Sequence, residues 1–254
     1  MKKLKYILTF LSLLGLISIP QILQWLGFEP FVFSSWQEMV KELWDNFGHY
    51  LLSLWTTLWV GTIAILISLL IGVPIGIFIG YKEKWLGFFE TTMKFIWSIP
   101  LIAVAVLLHV LLPSNKELLY IVINGVFLGM FPVLSFAYLK SIEKDDRILN
   151  MVASFNLSKF QEFWYFRKNE VWKNLAIPLT QSVPLTFIGI TMGEYMIGGG
   201  VNSNYFGLGS ELKIGLNIEH NFAKVYVVIA LMMTLVFTSG IIFEELVKNK
   251  NTQS

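Results

Sequence analysis

Glu194 closes a stretch, 174–193, that holds no Asp, Glu, Lys or Arg, and Tyr195, Met196 and Ile197 carry the apolar character past it. A carboxylate in that position is either an acid at a membrane edge or a buried group that lines a passage or holds a helix junction, because ionisable groups within spans face a bundle interior. His109 raises the same question inside the uncharged run 95–115: an imidazole in lipid needs a partner or a wet cavity, so it serves a structural hydrogen bond or a pathway. Neither residue has the company that covalent chemistry requires. His49, His109 and His220 lack zinc-type spacing, and the absence of cysteine removes thiolate ligands, disulfides and a cysteine nucleophile. In Gly207-Leu208-Gly209-Ser210-Glu211, Leu208 stands where a nucleophile elbow needs Gly. The chain contains no Gly-Lys pair, so it lacks the phosphate-cradling loop that ends Gly-Lys-Ser/Thr and is no loop-type ATPase on its own. Neither an enzyme nor a metal or cofactor site is expected.

The elements that must position these residues are set by an oily composition. Hydrophobic residues make up 55% of the 254 and charged residues only 14%, against about a quarter charged in soluble domains. The net charge of +2 is spread over separate basic clusters, which gives no footprint for nucleic acid. A helix crosses the hydrocarbon layer in about 20 residues. Six uncharged runs reach that scale: 6–28, 51–81, 95–115, 118–139, 174–193 and 225–243. They are apolar all round rather than alternating, which excludes spanning strands. The expectation is an all-α membrane protein with six transmembrane helices. The first run follows Lys2, Lys3 and Lys5 as a signal peptide would, but it is long and has no small-residue cleavage pattern after Ile19-Pro20, so it is read as a retained span.

Basic residues orient the spans, since Lys and Arg accumulate on the cytoplasmic side. Fourteen of the 19 fall before the first run, between runs two and three, between runs four and five, or after the sixth; only Lys41, Lys116, Lys213 and Lys224 fall in the other connections, and Lys94 sits at a boundary. Both termini and the segment 140–173 are therefore expected in the cytoplasm. On the outside, 29–50 offers Ser34 or Ser35 as a cap before a helix that carries Trp36, Met39, Val40, Leu43, Trp44 and Phe47 on one face, a pattern for the membrane interface. Residues 198–220 open with three glycines and read as a loop followed by a short amphipathic helix.

Within the second run, Gly72, Gly76 and Gly80 recur every four residues, which stacks them on one helix face where another backbone can approach. Pro74, Pro100, Pro132, Pro178 and Pro184 lie in or near spans, where each removes a donor and can kink its helix.

The longest polar stretch, 140–173, has its own periodicity. Ile148, Leu149, Val152 and Phe155 share one helical face, and Phe160, Phe163 and Trp164 repeat the pattern after Asn156. Asn156 tolerates the left-handed conformation that stops a helix, and Ser158 can cap the next. The reading is helix, turn, helix: either a docking knob for another protein or a pair of helices lying on the bilayer.

Here the sequence resembles the permease subunits of binding-protein-dependent ABC importers. In the same loop that family carries Glu-Ala-Ala, three residues, Gly, then usually Ala-Ser and a hydrophobic continuation. The pattern falls on Asn150-Met151-Val152, Asn156 and Leu157-Ser158-Lys159-Phe160-Gln161-Glu162-Phe163, with Asn150 in place of Glu, Asn156 in place of Gly, and Lys168-Asn169 where a Leu-Pro is common. Ile99-Pro100 resembles the family's Ile-Pro in the third span, Glu194 its acid in the fifth, and Gly207-Leu208-Gly209 its Gly-Leu-Gly beyond it. The nearest branch serves nitrate, sulfonates, taurine and thiamine precursors, and the resemblance covers roughly residues 50–246.

The resemblance implies the type I importer fold. Residues 1–50 would form an N-terminal span plus an external interfacial helix, 51–246 a core of five helices with a coupling helix between spans four and five, and 247–254 a cytoplasmic tail. It implies an ATP-binding subunit that holds ATP and Mg and receives Ala153, Asn156, Leu157, Ser158, Lys159 and Phe160. It also implies an external solute-binding protein or lipoprotein, and a second permease copy, expected as a homodimer in the cell membrane. Glu194, Pro100 and His109 become candidates for the translocation path, and Gly72, Gly76 and Gly80 for helix packing. An ion-coupled carrier or channel is the alternative. It would show two similar halves with ionisable groups at mid-membrane.

Overall fold

The computed structural model describes residues 34–81, 99–111, 116–143, 146–198 and 205–251, with scattered residues of 15–27 and 91–95. Among these every regular element is helical. The expected first span, 6–28, lies mostly outside them. Helix α1, Trp36–Asp45, starts from a capping box in which Ser35 Oγ accepts from the Glu38 backbone N–H and Glu38 accepts from that of Ser35. This satisfies two donors that a helix start otherwise leaves bare. Met39 is buried on one side of α1, while Val40 and Trp44 are exposed on the other.

Helix α2, Phe47–Tyr81, has 35 residues and runs through Pro74. At 1.5 Å per residue it is about 50 Å long, more than the roughly 30 Å hydrocarbon core. It must therefore tilt or reach into the interface. Helix α3, Leu101–Leu111, occupies the middle of the third run. Helix α4, Glu117–Ile142, contains the fourth run and continues through Pro132. Three short pieces follow: α5, Asp146–Ser154; α6, Lys159–Glu162, which widens into a π-helical turn at Phe163–Arg167; and α7, Lys168–Lys173. Helix α8 is Ala176–Ile197, α9 is Leu208–Asn217 and α10 is Phe222–Asn251. Among the described residues α2, α4 and α10 are long and apolar enough to cross a membrane, and α8 makes a fourth span if it is joined to the stretch Phe160–Lys173, from which it bends by 55°.

Helix α4 lies between α2 and α8, and close approach on both sides explains its burial. Gly72, Gly76 and Gly80 of α2 face it. A Cβ at Gly72 would lie 3.2 Å from the Met130 carbonyl oxygen, one at Gly76 2.5 Å from that of Leu134, and one at Gly80 would run into Ser141 Oγ. The buried face extends upstream through Ser53, Thr57, Gly61, Ala64 and Ser68, so small residues at three- and four-residue spacing run the whole length of α2. A second small-residue seam joins α4 to α8. Gly129 leaves room for Thr186 and its carbonyl accepts from Ser182 Oγ at 2.6 Å, while a Cβ at Gly189 would lie 2.6 Å from the Asn124 carbonyl oxygen. Lipid offers helices no hydrophobic gain for associating, so this close packing is the cohesive term.

Two apolar clusters finish the ends. Val73, Ile77, Val133, Ala137 and Val171 join α2, α4 and α7 near the 146–173 loop, and Met39, Tyr50, Leu208, Val227 and Val228 join α1, α2, α9 and α10 at the opposite end. Gly76→Ala is expected to lower the thermal unfolding temperature of the detergent-solubilised protein, by a destabilisation of about 1–3 kcal/mol from overpacking. Gly48→Ala, with nothing within 4 Å of its new Cβ, is expected to leave that temperature unchanged or slightly raised.

Candidate functional site

The polar loop folds as the local chemistry dictates. Helix α5 ends in a Schellman turn: Asn156 sits at φ 48°, Leu157 N–H reaches the Val152 carbonyl at 3.0 Å and Asn156 N–H that of Ala153 at 3.3 Å. That motif needs a left-handed residue, which Gly supplies most cheaply and Asn next, so Asn156 makes the turn in the position where the resembled pattern has Gly. Ser158 then caps the next helix through a second capping box, with Ser158 Oγ accepting from Gln161 N–H and Gln161 Oε1 accepting from Ser158 N–H. Ala153, Asn156, Ser158 and Phe160 are exposed around this turn and Leu157 is half-buried, while the Lys159 side chain lies outside the described residues. Phe160 stacks on Trp164 with ring centroids 6.1 Å apart, and Lys168 Nζ sits 3.7 Å from the centroid of the other. Phe155, Phe160 and Trp164 are 73%, 59% and 50% exposed. The base of this knob is firm. Val171 is fully buried in the α2–α4 cluster, and Asn174 Nδ2 donates to the Glu170 carbonyl at 2.9 Å.

At the opposite end, Glu194 lies in the last turn of α8 and is completely buried. Its carboxylate accepts from Thr57 Oγ1 at 2.9 and 3.0 Å, from the Tyr205 hydroxyl at 3.0 Å and from the Gly209 backbone N–H at 2.9 Å. Thr57 Oγ1 in turn accepts from Leu208 N–H at 3.0 Å. Burial first, and then the neighbouring carboxylate, push the Tyr205 hydroxyl far above the ordinary phenol range, which keeps it a donor. Every group aimed at Glu194 is thus a donor, so both carboxyl oxygens are satisfied. Helix α9 starts at this point with Gly207 as its N-cap and no side-chain cap of its own. Glu194 takes that role from another helix, placing acceptor oxygens at the bare N–H end of α9. A Cβ at Gly207 would collide with the Glu194 carboxyl group, and one at Gly209 with the Thr191 carbonyl. Gly-Leu-Gly is therefore the sequence that lets α9 rest on Glu194.

A charged network continues along α9. Glu211, also completely buried, lies 2.7 Å from His49 Nε2 and 3.0 Å from Lys224 Nζ, and Lys224 reaches Glu219 at 3.2 Å. Glu42 accepts from the Tyr50 hydroxyl at 2.9 Å and from Asn221 Nδ2 at 3.1 Å, which ties α1 to α2 and to the α9–α10 turn. Breaking such a buried pair by removing one partner strands the other charge.

The remaining path candidates lie elsewhere. Pro100 is exposed just before α3 and its carbonyl accepts from Ala103 N–H at 2.9 Å, so it starts that helix. His109 is exposed and meets the Tyr120 ring edge-on at 5.6 Å. Neither is among the contacts of Glu194. Sequence reasoning did not anticipate Thr57, Tyr205 or the His49–Glu211–Lys224 network. Thr57 had a signal, the small-residue spacing of α2, whereas Glu211 and Lys224 were legible only as charges in an external segment.

The arrangement thus offers a protruding aromatic loop at one end and an internally capped helix at the other, joined by α8. A search among curated proteins finds no sequence that matches this one. The family model for the binding-protein-dependent transport system inner membrane component matches residues 72–251, and the chain belongs to that family, the permease subunits of ABC transporters.

Proposed function

We propose that this permease serves an ATP-driven importer and that the loop 146–173 is where a separate ATPase pushes on it. The observation that carries the reading is the knob itself: a capped, left-handed turn displaying Phe155, Phe160 and Trp164, seated on the spans through Val171. Large aromatic side chains grouped in the open mark a binding surface, and Asn156 preserves the turn that the family's glycine makes. In this reading all six apolar runs cross the membrane, both termini and the loop lie in the cytoplasm, and α1 lies in the outer interface with Val40 and Trp44 toward lipid.

The partners follow from the same reading. Two copies of the chain enclose a path, two ATPase subunits bind ATP and Mg beneath them, and an external binding protein delivers a small solute of the nitrate, sulfonate, taurine or thiamine-precursor kind. The permease itself makes and breaks no covalent bond. Closure of the ATPase pair moves the two loops, and each loop moves the helices fastened to it. A ligand-driven shift of this sort works only if the connection is stiff, because a yielding loop would absorb the motion. The Schellman turn, the capping box and the Val171 anchor supply that stiffness.

Replacing Phe160 with Asp is expected to abolish solute uptake while the protein stays in the membrane and the ATPase still hydrolyses ATP; uptake unchanged at equal expression contradicts the docking role. Val171→Ala leaves a cavity costing about 2 kcal/mol at the base of the lever. Solute transported per ATP should fall, with the amount of ATPase retained on purification unaltered.

A further inference from the structure

Helix α8 runs without interruption from the base of the loop, at Ala176, to Glu194, and there its side chain caps α9. The cap is one of several ties to the same short helix. Lys213 Nζ donates to the Met196 carbonyl at 3.0 Å, Ser210 Oγ to that of Glu194 at 3.4 Å, and Thr57 holds Leu208 N–H from the α2 side. Leu208, Ser210 and Glu211 are all fully buried. Helix α9 is thus bolted to the far end of the helix that the loop would drive.

We propose that Glu194 is a positioning residue: by capping α9 from α8 it seats α9 as the outer closing element of the solute path and carries motion of α8 to it, beside the ties that Glu211 makes to α2 and α10. Glu194 then acts on the solute indirectly, through α9, and needs no contact with it. This rests on the importer reading above. It assigns the Gly-Leu-Gly turn a mechanical reason, since only residues without Cβ at 207 and 209 allow the cap to form.

The chain has no cysteine, so Ser210→Cys provides a single reporter whose thiol is shielded while α9 is seated. In that background Glu194→Ala, and Glu194→Gln as the milder variant, should raise labelling by a membrane-impermeant thiol reagent at least tenfold and reduce uptake at least tenfold. Gly207→Ser supplies the discriminating control. Gly207 has the extended backbone of an ordinary N-cap, φ −131° and ψ 174°, and a serine there can cap α9 from its own chain. Alone, it collides with the Glu194 carboxyl group and should impair uptake. Combined with Glu194→Ala it has room, and it should restore both thiol protection and uptake, although the carboxyl group is still missing. Labelling unaffected by Glu194→Ala overturns the cap. Protection restored without uptake overturns the closing role and makes Glu194 a direct contact of the solute. Failure of the importer reading would look different: the unmutated chain would retain no ATPase, and the labelling series would still decide the cap.

Discussion

Helices in a bilayer are surrounded by a solvent as apolar as their own side chains, so what holds them together is how closely their backbones approach. In this protein that constraint is met along α2, where Ser53, Thr57, Gly61, Ala64, Ser68, Gly72, Gly76 and Gly80 form one buried edge. Helix α4 lies against this edge from Ala64 to Gly80, while Thr57 and Gly61 meet Glu194 and Phe187 of α8; α4 in turn receives α8 through Gly125 and Gly129, against which Ile190 and Thr186 pack. The bulky residues are displaced outward, as the exposure of Trp55, Trp59, Leu66 and Leu70 on the same helix illustrates. A stack of three helices this tight leaves little freedom for one to slide alone.

The two ends use that rigidity differently. At the loop end the polypeptide leaves the bundle, turns at Asn156 and comes back to Val171, a short excursion whose apolar surface faces outward. At the other end polar groups turn inward. Glu194 and Glu211 are both buried, and both are satisfied by groups from other elements rather than from their own. Inside a low-dielectric bundle an unpaired carboxylate is prohibitively costly, so each acid pins the elements that supply its donors. Glu194 pins α2, α8 and α9, and Glu211 pins α2, α9 and α10. Helices α2 and α9 are the shared members, which ties this end of the bundle into one assembly.

Much of this could be seen in the sequence, where the controlling interactions are local. Apolar runs locate α2, α4, α8 and α10 because burying a helix in lipid requires length and hydropathy alone. The cap at Ser35, the stop at Asn156 and the cap at Ser158 are each settled within about four residues, the reach of capping chemistry, and each residue type announces its part. Four-residue spacing of glycine announces a seam. The π-helical turn at Phe163–Arg167 carried no such mark, because one extra residue in a turn is a matter of how the segment seats on its neighbours rather than of composition.

The partners of the buried acids belong to the other category. Glu194 reads as an acid after an apolar run, and nothing adjacent says whether it meets water, solute or helix. Its donors include Thr57, 137 positions away, and the Thr57 hydroxyl reaches across 151 positions to Leu208 N–H. His49 and Glu211 are separated by 162. Periodicity records which face of a helix is buried, because that depends on the repeat of a single element. It is silent on which element covers that face, since this depends on crossing geometry and chain topology, and those exist only once the helices have packed.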